Sequence, residues 1–283
     1  MNYETLSIDI QGAIAHVQLN RPGAYNSMNR AFWNEFPEAI TSLDRSGEIR
    51  VIVLSSTGKH FTAGMDTSIF TDPESIPFNG EPSRVAENLR RVVLDLQDAF
   101  NVMERARMPV LAAIQGGCIG GGVDMISAAD CRYCTEDAFF TIKETDLGMT
   151  ADVGTLQRLP HLIPQGMIRE LAFTGRKLGA EEAKAIGLVN HVYQDQTAML
   201  AGVMDIAEQI AERSPLAVHG CKEMINYTRD HTVADSLNYI ATWQAGMFRQ
   251  TDVMKAFAAK AQKVSADYEN LYPREKALKQ NRE

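Results

Sequence analysis

The sequence predicts an α/β fold, and three features carry that expectation. Short apolar runs suited to buried strands alternate with helical patterns through the first two thirds of the chain. Glycine-bearing turns follow two of those runs directly, at "HFTAGMD" (His60 to Asp66) and "GGCIGGGVD" (Gly116 to Asp124). From about Thr197 onward the pattern is helical alone, so helices fill the last third.

Thr5 to Ile10 and Ile14 to Leu19 read as two strands joined at Gln11-Gly12. The loop "NRPGAYNSMN" leads into a helix from about Asn29, with Phe32, Phe36, Ala39, Ile40 and Leu43 on one face. Pro37 lies inside that helix, where it is expected to kink or split it. Val51 to Leu54 reads as a strand buried on both faces, and a long loop covers roughly Ser55 to Ser83. A helix over about Arg84 to Arg107 follows. Its stripe is Val85, Leu89, Val92, Val93, Leu96, Ala99, Phe100 and Met103. Pro109 ends it, and Val110 to Ile114 forms the next buried strand. A short helix to about Ala128 and strands near Arg132 to Cys134 and Phe139 to Ile142 come next. Farther on, Leu200, Val203, Met204, Ala207 and Ile210 form a stripe, Ser214-Pro215 reads as an N-cap with proline behind it, and Thr232 with Asp235 resembles a capping box.

The chain has 283 residues, 45% apolar and 23% charged, with a net charge of -8. The acidic balance argues against a nucleic-acid partner, which calls for a basic stripe. The apolar stretch Met108 to Val123 is too short and glycine-rich to span a membrane, and the N-terminus lacks the basic-then-apolar order of a signal peptide. Cys131 and Cys134 form a C-x-x-C, but a zinc site needs a second pair at suitable spacing, so packing cysteines in a strand are the simpler expectation. A cytoplasmic, metal-free protein is expected.

Gly116 to Asp124 looks first like a phosphate cradle. Its glycine spacing breaks the dinucleotide pattern, no G-x-x-x-x-G-K-[ST] occurs, and "SSTGKHF" follows its Gly58-Lys59 with His60. A second use fits better. Backbone N–H groups at a helix N-terminus stabilise an oxyanion that forms during reaction, and glycine lets a substrate approach them. Two such turns supply two converging donors. Asp124 has apolar neighbours on both sides; a helix-dipole acid and a buried acid–base carboxylate both account for its position. By position alone, Glu144 reads as a solvated charge beside Lys143, and Asp152 as the N-cap of a helix starting at Val153.

"HFTAGMD" and "GGCIGGGVD", with "NRPGAYNSMNRAFWNEF" and "TLQRLPHLI", resemble the crotonase (enoyl-CoA hydratase/isomerase) family over nearly the whole chain. The long segment from Gly116 to Pro160 is similar to the Δ3,5-Δ2,4-dienoyl-CoA isomerases within it. The resemblance implies a crotonase-like spiral of ββα units over residues 1-195, carrying the acyl-CoA site, and a helical C-terminal oligomerisation segment over 196-283. It implies an acyl-CoA thioester as substrate, coenzyme A being part of that substrate and no other cofactor or metal being needed, and a homotrimer or a dimer of trimers. The N–H groups of Met65 and Gly121 would form the oxyanion hole, and Ala63, Gly64, Met65, Asp66 and Thr67 would line the acyl-CoA site with Gly121. Asp124, Glu144 and Asp152 match the catalytic acids of the dienoyl-CoA isomerases, with Glu144 serving C2, Asp152 serving C6, and Asp124 orienting or tuning the site.

The chain departs from the hydratases at two of these positions. They use glutamate at the position of Asp124 and typically glycine near that of Asp152, and both differences favour isomerisation over hydration. A 2-enoyl-CoA hydratase or a Δ3-Δ2 enoyl-CoA isomerase on the same scaffold is the alternative. The stretch "TDPESIPFNGEPS" does not follow the family and is expected to shape the acyl pocket or the CoA entrance. CoA is polyanionic, so a local Lys/Arg cluster is expected on this acidic chain.

Overall fold

The computed structural model describes residues 3–71 and 79–274. Nine strands and eleven α-helices are found among them. Strands β1 (Leu6–Gln11) and β2 (Ile14–Leu19) form an antiparallel hairpin. Parallel strands β3 (Val51–Ser56), β4 (Val110–Ile114), β6 (Cys131–Thr135) and β9 (His191–Tyr193) extend it to a six-stranded sheet in the order β1-β2-β3-β4-β6-β9. A second sheet of three short strands, β5 (Gly117–Ile119), β7 (Phe139–Thr141) and β8 (Leu178–Gly179), stands in the order β5-β7-β8.

The central parallel strands β3 and β4 are buried on both faces, as parallel strands covered on two sides must be. Successive side chains alternate between two cores. Ile52, Leu54, Val110, Ala112 and Ile114 point into the larger one. There they meet Phe32, Phe36 and Ile40 of helix α1 (Arg30–Ser46) and Phe100 and Met103 of α3 (Pro82–Arg105). Val51, Val53, Leu111, Ala113 and Tyr133 point the other way, against Met199, Val203 and Ala207 of α8 (Gln196–Ala211). The cysteines of the C-x-x-C motif fall on opposite faces of β6. Cys134 lies in the larger core and Cys131 against the α8 layer, so the two thiols do not face one another.

Three local expectations are corrected. Helix α1 runs unbroken from Arg30 to Ser46, so Pro37 does not split it, and its apolar face is buried in the larger core. Its start is capped by Asn29, whose side chain accepts from Phe32 N. Helix α3 begins at Pro82, with Glu81 as its cap, and a single turn of helix, α2 (Ser68–Thr71), interrupts the long loop before it. Residues 72–78, most of the stretch expected to shape the acyl pocket, lie outside the described residues. Ser214 precedes α9 (Pro215–Thr228), but its hydroxyl donates to Asp252 instead of capping the helix. The Thr232 cap is present on α10 (Val233–Met247), accepting from Asp235 N at 3.1 Å.

Helices α4 (Gly121–Ser127) and α5 (Thr155–Arg158) are short and belong to the site. Helix α6 (Gln165–Thr174) packs against the 3-10 turns over 144–147 and 159–161, α7 (Ala180–Ala185) packs against β8 and β9, and α11 (Gln250–Gln262) closes the helical series. The chain then turns back to α1. Arg50 donates to the carbonyl of Tyr268, Arg107 to that of Tyr272, and Arg274 to Asp44.

Candidate active site

The two glycine turns meet at one corner of the fold. Thr62 and Cys118 form a bridge between them: Thr62 N donates to Gly117 O, and Ile119 N donates to Thr62 O. A second bridge joins Met28 to Met65 and fixes the first turn from its other side. Gly64 has φ +83°, and a side chain there would stand 2.6 Å from the Ile119 carbonyl, so only glycine fits. That close approach sets the Met65 and Gly121 nitrogens side by side. A Cβ built on Gly121 would lie 3.8 Å from Met65 N, and one built on Gly64 would lie 3.4 Å from Gly121 N. Gly121 is the first residue of α4, where an N–H has no partner within the helix. Neither nitrogen donates to an acceptor among the described residues. Two free N–H groups side by side, one of them at a helix start, are suited to hold a developing oxyanion.

Asp66 is tied both to its own loop and to the turn before α1. Its carboxylate accepts from Ser68 and Ser27 and pairs with Arg21, and those bonds, Ser68 first, hold its pKa down at about 2. It staples the loop carrying Ala63, Gly64, Met65 and Thr67 to the turn before α1.

The three acids come together beside this corner. Asp124 sits in the first turn of α4 and is only 1% exposed. Burial pushes its pKa up to about 7, with Glu144 and Asp152 adding to the rise and contacts with Thr155 opposing it. Glu144 follows β7 and opens a turn of 3-10 helix over Glu144–Leu147. A Cβ on Gly120 would lie 3.2 Å from its Oε1, which places the carboxyl against the start of α4. Its Oε2 is buried without a hydrogen-bond partner. Burial raises its pKa, and the charge of Asp152 adds to this. Asp152 stands more open, yet partial withdrawal from water raises its carboxyl as well. An acid whose charged form is disfavoured holds or accepts a proton near neutral pH, which suits acid–base work.

The capping role expected of Asp152 belongs to Asp124. Asp124 Oδ1 accepts from Thr155 N at 2.7 Å, so a residue 31 positions earlier in the chain caps α5. Sequence position suggested the nearest acid; the fold brings a distant one to the orphan N–H groups. Lys143, beside Glu144, is tied to Asp146, and Arg21 is spent on Asp66 and Ser27.

With this geometry in view, the chain can be set beside known proteins. The enoyl-CoA hydratase/isomerase family model matches residues 9–270. The Δ(3,5)-Δ(2,4)-dienoyl-CoA isomerase, mitochondrial, of Mus musculus is 46% identical over 264 residues, covering 93% of this chain and 81% of its own. The peroxisomal protein of the same name from Arabidopsis thaliana is 42% identical over 266 residues, covering 93% and 96%. The crystal structure of an enoyl-CoA hydratase from Bacillus anthracis superposes with a TM-score of 0.83 at 30% identity, covering 94% of this chain and 99% of that one. The names of these isomerases place them in mitochondria and peroxisomes, which overturns the expectation of a cytoplasmic protein. Motifs, fold and relatives agree: the chain belongs to the enoyl-CoA hydratase/isomerase family.

Proposed function

We propose that this protein isomerises a 3,5-dienoyl-CoA to the 2,4-dienoyl-CoA. Glu144 takes a proton from C2, and the thioester carbonyl becomes an enolate whose oxygen is held by the N–H groups of Met65 and Gly121. Electron density moves along the diene, and Asp152 delivers a proton at C6. One proton leaves and one arrives, so the step is redox-neutral and calls on no redox cofactor. Coenzyme A enters and leaves as part of the substrate. Loop residues Ala63 to Thr67 line the acyl-CoA path in this reading, with Asp66 acting through the loop it staples.

The observation that carries the reading is Asp152, a third carboxyl within electrostatic reach of Glu144, in a chain whose curated relatives are named for this isomerisation. Two carboxyls at opposite ends of a conjugated path serve two carbons where one cannot. Asp124 tunes the pair and holds the α5 turn. Hydration on the same scaffold is less well supported, because it asks two carboxyls to share one water, and Asp124 is buried with one oxygen committed to Thr155 N.

Offering the purified protein a 3,5-dienoyl-CoA and a 2-enoyl-CoA, and following diene and enoyl absorbance, tests this directly. A diene shift is expected; hydration with no diene shift overturns it. Deuterium uptake at C2 is expected to fail in Glu144→Gln and at C6 in Asp152→Asn. Loss of the same step in both variants would sink the assignment.

The assembly we propose is a homotrimer, single or paired, built through the C-terminal helices. Val233, Leu237 and Phe257 support it, being 71%, 63% and 65% exposed in one chain.

A further inference from the structure

The turn that carries Asp152 and the capping contact to Asp124 has little to hold it by itself. Helix α5 is four residues long, far below the length at which a helix sustains itself. Three side chains of α3 reach it instead. Gln97 Nε2 donates to the Asp152 carbonyl at 2.7 Å. Asn101 and Glu104 both accept from Arg158 Nη2, the Glu104 contact at 3.0 Å. Residues 97, 101 and 104 recur at the spacing of one helix face, so the three form a polar stripe along α3.

Arg158, buried at the end of α5, folds back over the turn. Its Nη1 reaches the Val153 carbonyl at 3.4 Å. The same nitrogen fills the space beside Gly154, where a Cβ would stand 1.8 Å from it; Gly154 has φ +133°. Glu104 also accepts from Arg229, at the end of α9. Burial pushes the Glu104 carboxyl up, but its two arginines outweigh that and hold it below the usual range. A buried ion pair of this kind is weak evidence for stability, since desolvation offsets the attraction. Its place here gives it another use.

We propose that Gln97, Asn101 and Glu104, acting through Arg158, form a positioning clamp that holds the 152–155 turn in register with α4 and thereby sets where Asp124 and Asp152 stand. The clamp touches no reacting atom. It works through the turn, with Asp124 gripping Thr155 N from the opposite side.

The full-length protein tests this with Arg158→Met and Glu104→Gln, and with Arg229→Met as a control that cuts the other half of the Glu104 bridge. The proposal rests on the isomerase reading only for its kinetic readout. Amide exchange at Thr155 reports the turn whether or not the diene shifts, so a failed activity in the wild type leaves this readout intact. In Arg158→Met, exchange at 153–155 is expected to quicken at least about tenfold while β4 amides are unchanged. The value of kcat is expected to fall about 10- to 100-fold with KM within about threefold, the pattern of misplaced acids, not of lost binding. Arg158→Lys, which keeps the charge and one donor, is expected to recover part of kcat, and Arg229→Met to stay near wild type. If Arg158→Met does not fold, Glu104→Gln carries the same readouts. A folded Arg158→Met or Glu104→Gln with wild-type exchange at Thr155 overturns the clamp, and so does a loss confined to KM.

Discussion

Strands β3 and β4 contain no residue that is not buried, whereas α10 and α11 contain no residue that is. Both regions are apolar at the positions that matter. The strands have two layers to cover them, α1 and α3 on one side and α8 on the other. The last helices show Leu237, Met254 and Phe257 to solvent in one chain. Hydrophobicity in a sequence therefore says that a surface seeks cover, and only the fold says whether the same chain supplies it. The acids of the site lie at the rim of the self-covered region.

That contrast can be tested at several depths. The largest effect is expected at the rim of the self-covered region: Glu144→Gln should lower kcat by about 10²–10⁴-fold while circular dichroism stays that of the wild type, the loss typical of a removed general base. Next, Leu111→Ala, at a fully buried position of β4, is expected to destabilise by about 2–5 kcal/mol, read from denaturant unfolding. A small cost there would mean that the α8 layer collapses into the gap.

A third test uses pH. The Asp124 carboxyl titrates near 3.8 when free and at about 7 when folded. Between those values the folded chain holds the extra proton, so ionisation opposes folding and this group's contribution to stability falls as pH rises from 3.8 to about 7. Asp124→Asn keeps an acceptor for Thr155 N but cannot ionise. Its melting temperature relative to wild type is expected to climb across that window and level off above it; a flat difference would assign the burial effect elsewhere. The smallest effect on a single chain is expected in the last helices, where Leu237→Ser with Phe257→Ser should alter intrinsic stability by no more than about 0.5 kcal/mol. Sedimentation should nevertheless shift toward the single chain, and an unchanged sedimentation value would separate these helices from assembly.

Much of the frame was legible in the residues. Val51 to Leu54 and Val110 to Ile114 announced buried strands by composition, and the α3 stripe announced its helix to within a few residues. The two glycine turns could be paired because each follows such a strand. The acids needed the family resemblance, since Glu144 beside a lysine and Asp152 before a short helix look like ordinary surface charges. The α3 clamp was not legible at all. Gln97, Asn101 and Glu104 fall between the apolar positions, where polar residues read as a solvated face, and nothing local shows that Arg158 comes to meet them. The exchange of roles between Asp124 and Asp152 was hidden for the same reason, because a cap 31 residues away leaves no mark in a local pattern.

The two-faced sheet has a cost of its own. Where one face is wet, a slip of one residue drives polar side chains into the core and is rejected at once. In β3 and β4 a slip would merely exchange one set of aliphatic residues for another, so the central sheet carries little information about its own alignment. That information resides in polar contacts at the strand ends. His16 Nε2 and Ser55 Oγ lie 2.7 Å apart, Gln115 Nε2 donates to Ser56 Oγ, and Asp130 accepts from Val110 N. These few groups act as alignment pins. Mispairing during folding is where their loss would first be felt, ahead of any change in the finished protein.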